Sequence, residues 1–126
     1  MVKVTQASVS PQLLLDSLNT DSSGSIVTHL GIVRPDSSGR KVLSIEYEAD
    51  VNASERELSN IADEILTKWG IQDIALYRRV GKLNLGDVIL IAAIGAPHRK
   101  EAFEACNYAV ECMRNMKSVR KKEILK

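Results

Sequence analysis

The stretch from Asn52 to Trp69 constrains the fold most, because its apolar residues recur at the spacing of an α-helix. The apolar stripe consists of Leu58, Ile61, Ala62, Ile65, Leu66 and Trp69. Asn52 and Glu55 have the spacing of a capping box, and Gly70 is placed to end the helix. An amphipathic helix of this length must bury its stripe, so other elements must supply an apolar layer for it.

Several shorter stretches have the β-branched content or the alternation of strands that would form this layer. They are residues 24–33, 42–48, 74–80 and 88–94, with a weaker candidate at 2–8. Residues 88–94 are almost continuously apolar, which predicts a central strand that is buried on both faces. Two intervening segments, RPDSSGR at 34–40 and GKLNLGD at 81–87, are interpreted as loops.

Two more helices are predicted, one before and one after most of these strands. Ser10 and Pro11 have the residue types of an N-cap and a first helical position, which predicts a short helix through Leu18. Pro97 opens a longer helix, whose expected buried face consists of Phe103, Cys106, Val110 and Met113. The order β-α-β-β-α-β-β-α, with short connections, predicts an α+β fold with a mainly antiparallel sheet and flanking helices.

Size and composition narrow the class of protein further. A chain of 126 residues suits one domain over residues 1–126, and its charged fraction of 26% is ordinary for a globular protein. No apolar run reaches about 18 residues and the N-terminus lacks the layout of a signal peptide, so we expect a cytoplasmic protein without a membrane span. Cys106 and Cys112 match no metal-ligand spacing, so we expect two free, buried thiols and no metal site.

Positive charge is concentrated at the end of the chain. The last sixteen residues, ECMRNMKSVRKKEILK, hold six Lys/Arg against two Asp/Glu, whereas residues 1–110 hold 11 against 14. Such an end suggests a solvated helix terminus, a nucleic-acid tail or one wall of an anion site. Only 4% of the residues are aromatic, which disfavours nucleic-acid binding by base stacking, while the other two interpretations stay open.

Two further places combine basic side chains with geometry that suits an anion. In IGAPHRKEAF, residues 94–103, a strand leads into a helix, so His98 and Arg99 are expected in the first helical turn. Free N–H groups and the positive end of the helix favour an anion there. Arg34 directly follows a strand, where a guanidinium is well placed to contact a phosphate. The alternative for each residue is a side chain that simply points into water.

Six segments then carry a specific resemblance. They are GSIVTHLGIVR at 24–34, IEYEAD at 45–50, KWG at 68–70, YRRVGKLNLGD at 77–87, APHRKEAFEAC at 96–106 and KKE at 121–123. In this order and at this spacing, they make the chain resemble the MoaE family, the large catalytic subunits of molybdopterin synthase. The resemblance runs from about Gly24 to Glu123 and covers most of the chain.

The resemblance implies a fold, a reaction and partners. The family has an α/β-hammerhead fold and forms a central homodimer. Each active site receives the C-terminal tail of a small ubiquitin-like sulfur carrier, which completes a heterotetramer. The carrier brings sulfur as a thiocarboxylate, and two transfers convert cyclic pyranopterin monophosphate (precursor Z) to molybdopterin in molybdenum cofactor biosynthesis. The resemblance implies no metal or organic cofactor in this step.

The resemblance also assigns roles to individual residues. Arg34, His98 and Arg99 match the anion-binding positions of the family. Lys121 matches a catalytic lysine, and Glu123 matches the acid that follows and orients it.

One catalytic position differs from the family pattern. A second functional lysine is expected seven residues before Lys121, where this chain has Arg114. A guanidinium stays protonated, so it holds an anion well but is a poor nucleophile. Lys117 would substitute for the missing lysine if the helix continued that far. Two hypotheses follow: an active sulfurtransferase subunit, or a catalytically weak MoaE-like paralogue that binds the carrier as a scaffold.

Overall fold

The computed structural model describes residues 1–19, 21, 23–37, 39–71 and 73–125, and these form eight strands and three helices. In chain order the elements are β1 (Val2–Thr5), α1 (Pro11–Asp16), β2 (Ser25–Ile32), β3 (Asp36–Ser37), β4 (Arg40–Ala49), α2 (Val51–Trp69), β5 (Asp73–Arg79), β6 (Gly81–Asn84), β7 (Val88–Ala96), α3 (Arg99–Arg114) and β8 (Val119–Leu125). The α+β class is confirmed. Among these residues, no helix is both long and apolar enough to cross a membrane.

The strands form two sheets. The first has the order β1-β5-β7-β2, and the second consists of β4 with β3, β6 and β8 paired to it. Within the described residues, only the β1–β5 pair is parallel, so the expected antiparallel character is confirmed. The prediction of a central strand at residues 88–94 is also confirmed, because β7 lies between β5 and β2.

The long helix α2 has the predicted stripe but a different start. Its N-cap is Asp50, whose carboxylate accepts a hydrogen bond from the Ala53 N–H at 3.0 Å, so the predicted start at Asn52 is wrong by two residues. Gly70 ends the helix in the left-handed conformation with φ 63°, as predicted. The stripe packs into the main core, with Leu58 and Ile65 fully buried.

The first sheet is covered on both faces. On one face, α2 and α3 bury the main core, which includes Leu76, Ile94 and Met113. On the other face, α1 covers a smaller cluster formed by Leu14, Ala75, Tyr77, Ile91 and Ala93. Alternate residues of β5 therefore point into different clusters, as the two-residue period of a strand requires.

Two predictions about α3 are wrong. Pro97 precedes the helix, because His98 is the N-cap and Arg99 is the first helical residue. Phe103 is 61% exposed, because the buried stripe runs through Ala102, Ala105, Cys106, Ala109 and Met113 instead. Three alanines in this stripe let the helix approach the sheet closely, and the bulky Phe103 lies outside it.

Three strands lie where the sequence analysis did not predict them. The loop expected at 34–40 contains β3, which pairs with the start of β4. The loop expected at 81–87 contains β6, which pairs with β4. The basic end of the chain contains β8, which pairs antiparallel with β4 over most of its length. Val119–Leu125 is therefore a paired strand and not a helix terminus, whereas Arg114 does end α3; Lys126 lies outside the described residues.

Candidate active site

A cavity of about 460 Å³ opens between the two sheets and the C-terminal end of α3. Its charged lining consists of Arg34, Asp36, Arg78, Arg114, Lys121 and Glu123. Its apolar lining includes Ile45, Leu90, Met113 and Met116. A cavity of this size that combines apolar walls with convergent polar groups is the usual form of a small-molecule site. Cations outnumber carboxylates in this lining, so the cavity favours an anionic ligand.

Arg34 reaches the cavity because β2 ends at Ile32, two residues before it. Val33 is buried and forms two backbone hydrogen bonds with the turn between β6 and β7. Its N–H donates to the Asp87 carbonyl at 3.0 Å, and its carbonyl accepts from the Gly86 N–H at 3.1 Å. These bonds fix the point where the chain leaves the sheet, and Arg34 extends from that point.

Arg114 reaches the cavity from the last residue of α3, an end where a cation is favourable next to the helix dipole. The helix stops there, so Lys117 does not follow on the same helical face. Its backbone N–H donates to Glu57 at 2.9 Å, and its exposed side chain does not line the cavity. The prediction that Lys117 stands in for the missing lysine is thus not supported by its position.

Glu57 of α2 fixes the turn between α3 and β8. Its carboxylate accepts hydrogen bonds from the backbone N–H groups of Lys117 and Ser118, both at 2.9 Å, and from the Ser118 hydroxyl at 2.6 Å. Partial burial raises the pKa of the Glu57 carboxyl, but the bonds from Ser118 and Lys117 outweigh that effect, and the pKa is lowered overall. Glu57 thereby sets where β8 begins.

Lys121 and Glu123 lie on the cavity face of β8. Lys121 is opposite Tyr47 of β4 and Glu123 is opposite Ile45, and all four residues line the cavity. The Lys121 Nζ is 3.8 Å from the Glu123 Oε1, so the predicted proximity of the acid to the lysine is observed. The pair is partly exposed, which suits a group that must meet an incoming ligand.

The alternation of β8 sends the other basic residues of the tail to the opposite face. Arg120 is opposite Glu48 of β4, and Lys122 is opposite Glu46. All four side chains are exposed. Opposite charges facing each other across two strands favour the pairing. The basic end of the chain therefore places Lys121 in the cavity and places Arg120 and Lys122 opposite glutamates on the outer face of the sheet.

His98 and Arg99 lie far from this cavity. They are at the N-terminal end of α3, about 22 Å along the helix axis from Arg114 at 1.5 Å per residue. Both are exposed, and the His98 side chain makes no capping hydrogen bond. One copy of the chain thus brings Arg34, Arg114, Lys121 and Glu123 together and leaves the other predicted residues outside.

Arg78 lines the cavity and was missed by the sequence analysis. It is only 4% exposed, and its guanidinium carbon lies 4.2 Å from the centre of the Tyr47 ring. The signal was present in the alternation of residues 74–80, because Ile74, Leu76 and Arg78 share the buried face of one strand. A cation at such an inward position is unusual enough to indicate a special environment.

Neither the cysteines nor any cluster of possible metal ligands forms a second reactive site among the described residues. Cys106 is buried as expected, and burial raises the pKa of its thiol to about 11, which keeps it protonated and unreactive. Cys112 is half-buried and also free. No group of three or more His, Cys, Asp or Glu residues in this part of the chain could hold a metal ion.

The fold and the cavity define a class of α+β proteins in which a pocket lined by several cations lies between two sheets. The MoaE protein family model matches residues 4–116, and the chain belongs to the MoaE family. The chain is 32% identical over 124 residues to the molybdopterin synthase catalytic subunit of Thermoplasma volcanium, covering 98% of this chain and 90% of that protein. It is 31% identical over 122 residues to the protein of the same name from Bacillus subtilis, covering 97% of this chain and 78% of that protein.

A solved structure is similar to this one. The crystal structure of molybdopterin synthase from Staphylococcus aureus matches with a TM-score of 0.92 at 30% sequence identity, over 99% of this chain and 91% of that chain. A match of this extent includes both sheets and the helices that flank them, so the frame of the cavity is shared.

Proposed function

We propose that this protein is the catalytic subunit of a molybdopterin synthase. In the proposed reaction, a small sulfur carrier delivers sulfur from its C-terminal thiocarboxylate to cyclic pyranopterin monophosphate. Two such transfers form the dithiolene of molybdopterin, and each leaves the carrier with a carboxylate whose oxygen comes from water. The activity named for the relatives from Thermoplasma volcanium and Bacillus subtilis supports this proposal.

The observation that carries the proposal is the position of Lys121. It lies in the cavity with Arg34 and Arg114, and Glu123 is 3.8 Å from its ammonium group. In the proposed site, Arg34 and Arg114 hold the anionic groups of the substrate and of the carrier tail. Lys121 neutralises negative charge that develops during transfer, and Glu123 holds the lysine in place.

The proposed assembly is a homodimer within a heterotetramer. His98 and Arg99 cannot contribute to the cavity of their own chain, because α3 separates them from it by its whole length. In the proposed dimer they serve the cavity of the second copy and bind the phosphate there. The name catalytic subunit, given to the relatives, supports a further and different subunit, for which the proposal assigns the small carrier.

Two further expectations are included in the proposal. The described residues of both sheets share the main core, which supports one domain over residues 1–126. The cytoplasmic location expected from the N-terminal sequence stays a prediction, and cell fractionation would test it.

Reconstitution tests the proposal directly. The protein is mixed with a thiocarboxylated carrier and cyclic pyranopterin monophosphate, and dithiolene formation is followed. We expect product at a rate that depends on both partners. Tight carrier binding without product would refute the enzyme and favour the scaffold hypothesis. That alternative rests on one observation, which is that Arg114 lines the cavity where the family pattern has a second lysine.

A further inference from the structure

Arg78 is the most deeply buried of the four cations that line the cavity. Arg34, Arg114 and Lys121 are exposed, whereas Arg78 is 4% exposed and extends from β5 into the space between the two sheets. Its guanidinium carbon lies 4.2 Å from the centre of the Tyr47 ring, and the ring face attracts the positive charge. This contact restricts the position of the guanidinium.

The hydrogen bonding of this guanidinium is incomplete. Its Nη1 donates to the carbonyls of Arg79 and Ile89 at 3.3 and 3.4 Å, which are long for such bonds. Its Nε is buried and has no acceptor among the residues that the structure describes. Buried polar groups in folded proteins nearly always have a partner, so an unpartnered N–H next to a cavity indicates a ligand.

The charge of Arg78 is not compensated within the described part of the chain either. The ion pairs there are Arg79 with Asp87 and Lys121 with Glu123, so the carboxylate of Glu123 is already shared. Burial lowers the pKa of the Arg78 guanidinium and Tyr47 partly offsets this effect, yet an arginine stays protonated at neutral pH. A buried, unpaired cation costs stability, which is explained if a bound anion completes the site.

We propose that Arg78 is an oxyanion-binding residue on the buried wall of the cavity, and that its free Nε–H donates to a phosphate or carboxylate oxygen of the ligand. This inference rests on the proposed function for the source of that oxygen. The source is either the phosphate of the small substrate or the C-terminal carboxylate of the carrier. Both groups present two oxygens that match the edge of a guanidinium.

Isothermal titration calorimetry at low ionic strength tests this inference without any turnover. The full chain is titrated with inorganic phosphate and, separately, with glycylglycine as a mimic of a C-terminal tail. The variant is Arg78→Met, and the matched control is Arg79→Met. Arg79 is adjacent on the same strand but is ion-paired with Asp87 at 3.5 Å and does not line the cavity.

We expect Arg78→Met to weaken binding of one probe at least about tenfold, the effect of losing a hydrogen bond to a charged group, while Arg79→Met keeps the wild-type affinity. Loss for inorganic phosphate assigns Arg78 to the substrate phosphate, and loss for glycylglycine assigns it to the carrier tail. Unchanged affinity for both probes, or no binding of either by the wild type, would overturn the inference.

A second variant covers the case in which Arg78→Met does not fold. Arg78→Lys keeps the charge but loses the planar fork, so we expect it to bind the affected probe several-fold more weakly than the wild type. Wild-type affinity in a folded Arg78→Lys protein would then count against the Nε–H contact. Failure of sulfur transfer with intact, Arg78-dependent probe binding would refute the proposed function alone.

Discussion

Lys121 of β8 lies directly opposite Tyr47 of β4 in an antiparallel strand pair, and both residues line the cavity. Residues that face each other in such a pair point to the same side of the sheet. The neighbouring Lys122 is opposite Glu46 and lies on the outer face. Strand alternation therefore selects one of two adjacent lysines for the site.

Replacing these two lysines separately should give opposite results. We expect Lys121→Ala to lower the rate of dithiolene formation about 100-fold or more, because a preorganised cation next to the reacting groups is lost. Lys122→Ala removes the same charge from the outer face and should leave the rate close to that of the wild type. Single-turnover kinetics with a thiocarboxylated carrier measure both. Equal rates for the two variants would remove Lys121 from the mechanism.

Arg114→Lys tests whether the guanidinium has a role of its own. Arginine can hold an oxyanion through two N–H groups, whereas lysine offers a single point charge. We expect kcat/KM to fall about tenfold, as for the loss of one hydrogen bond to a charged group. A faster variant would instead mean that Arg114 is a weakened form of the second catalytic lysine, and it would favour the scaffold hypothesis.

The proposed sharing of sites between two copies can be tested by mixing inactive variants. Arg99→Ala and Lys121→Ala should each be inactive alone. In a mixed dimer, one site has both defects and the other has none. Random reassociation of equal amounts should therefore restore about a quarter of the wild-type activity, since half of the dimers are mixed. Mixtures that stay inactive, although mass spectrometry detects mixed dimers, would contradict a shared site.

Glu57 should make the free energy of unfolding depend on pH in the acidic range. Its folded pKa lies below the unfolded value, so its contribution is fully present above the unfolded pKa of about 4.3 and is lost as the pH falls through the folded pKa. Glu57 is only partly buried, so solvent screens its interactions and this contribution should be about 1 kcal/mol or less.

Thermal unfolding of Glu57→Gln and of the wild type checks this effect at two pH values. We expect the variant to be less stable at pH 7 and the difference to shrink near pH 3. Glu55→Gln on the same helix is the control, because the hydrogen bonds to the β8 turn within the described residues come from Glu57 and not from Glu55. A difference between Glu57→Gln and wild type that is the same at both pH values would argue against the carboxylate bonds.

Gly24→Ala should destabilise the fold at the start of β2. A Cβ at this position would overlap the backbone oxygen of Pro97, and the Gly24 N–H donates to the Ala96 carbonyl at 2.9 Å. Because backbone must shift to make room, we expect a loss of about 1–3 kcal/mol in the free energy of unfolding. Urea denaturation measures it, with Ser25→Ala as the control that adds no atoms. Equal stability of the two variants would mean that the turn before α3 is free to move.

Much of the frame follows from local patterns. Short-range periodicity predicts the helix over 52–69 and the apolar strand at 88–94, and both are found with ends shifted by one or two residues. The α+β class follows from the same periodicity and is also found. Arg34 was identified as a candidate from the residues, and Lys121 was identified only through the family resemblance; both line the cavity.

The sequence by itself determined where apolar surface is buried and that the end of the chain carries an excess of positive charge. Only the tertiary structure decided what that charge does. VRKKEIL has a weak intrinsic strand signal, and it becomes β8 because β4 offers an unpaired edge with glutamates opposite Arg120 and Lys122. Because of this pairing, the side chains of Lys121 and Glu123 line the cavity. Arg78 lines the same cavity from β5, which is distant in the sequence. Such long-range pairing depends on residues far apart in the chain, which no local pattern specifies.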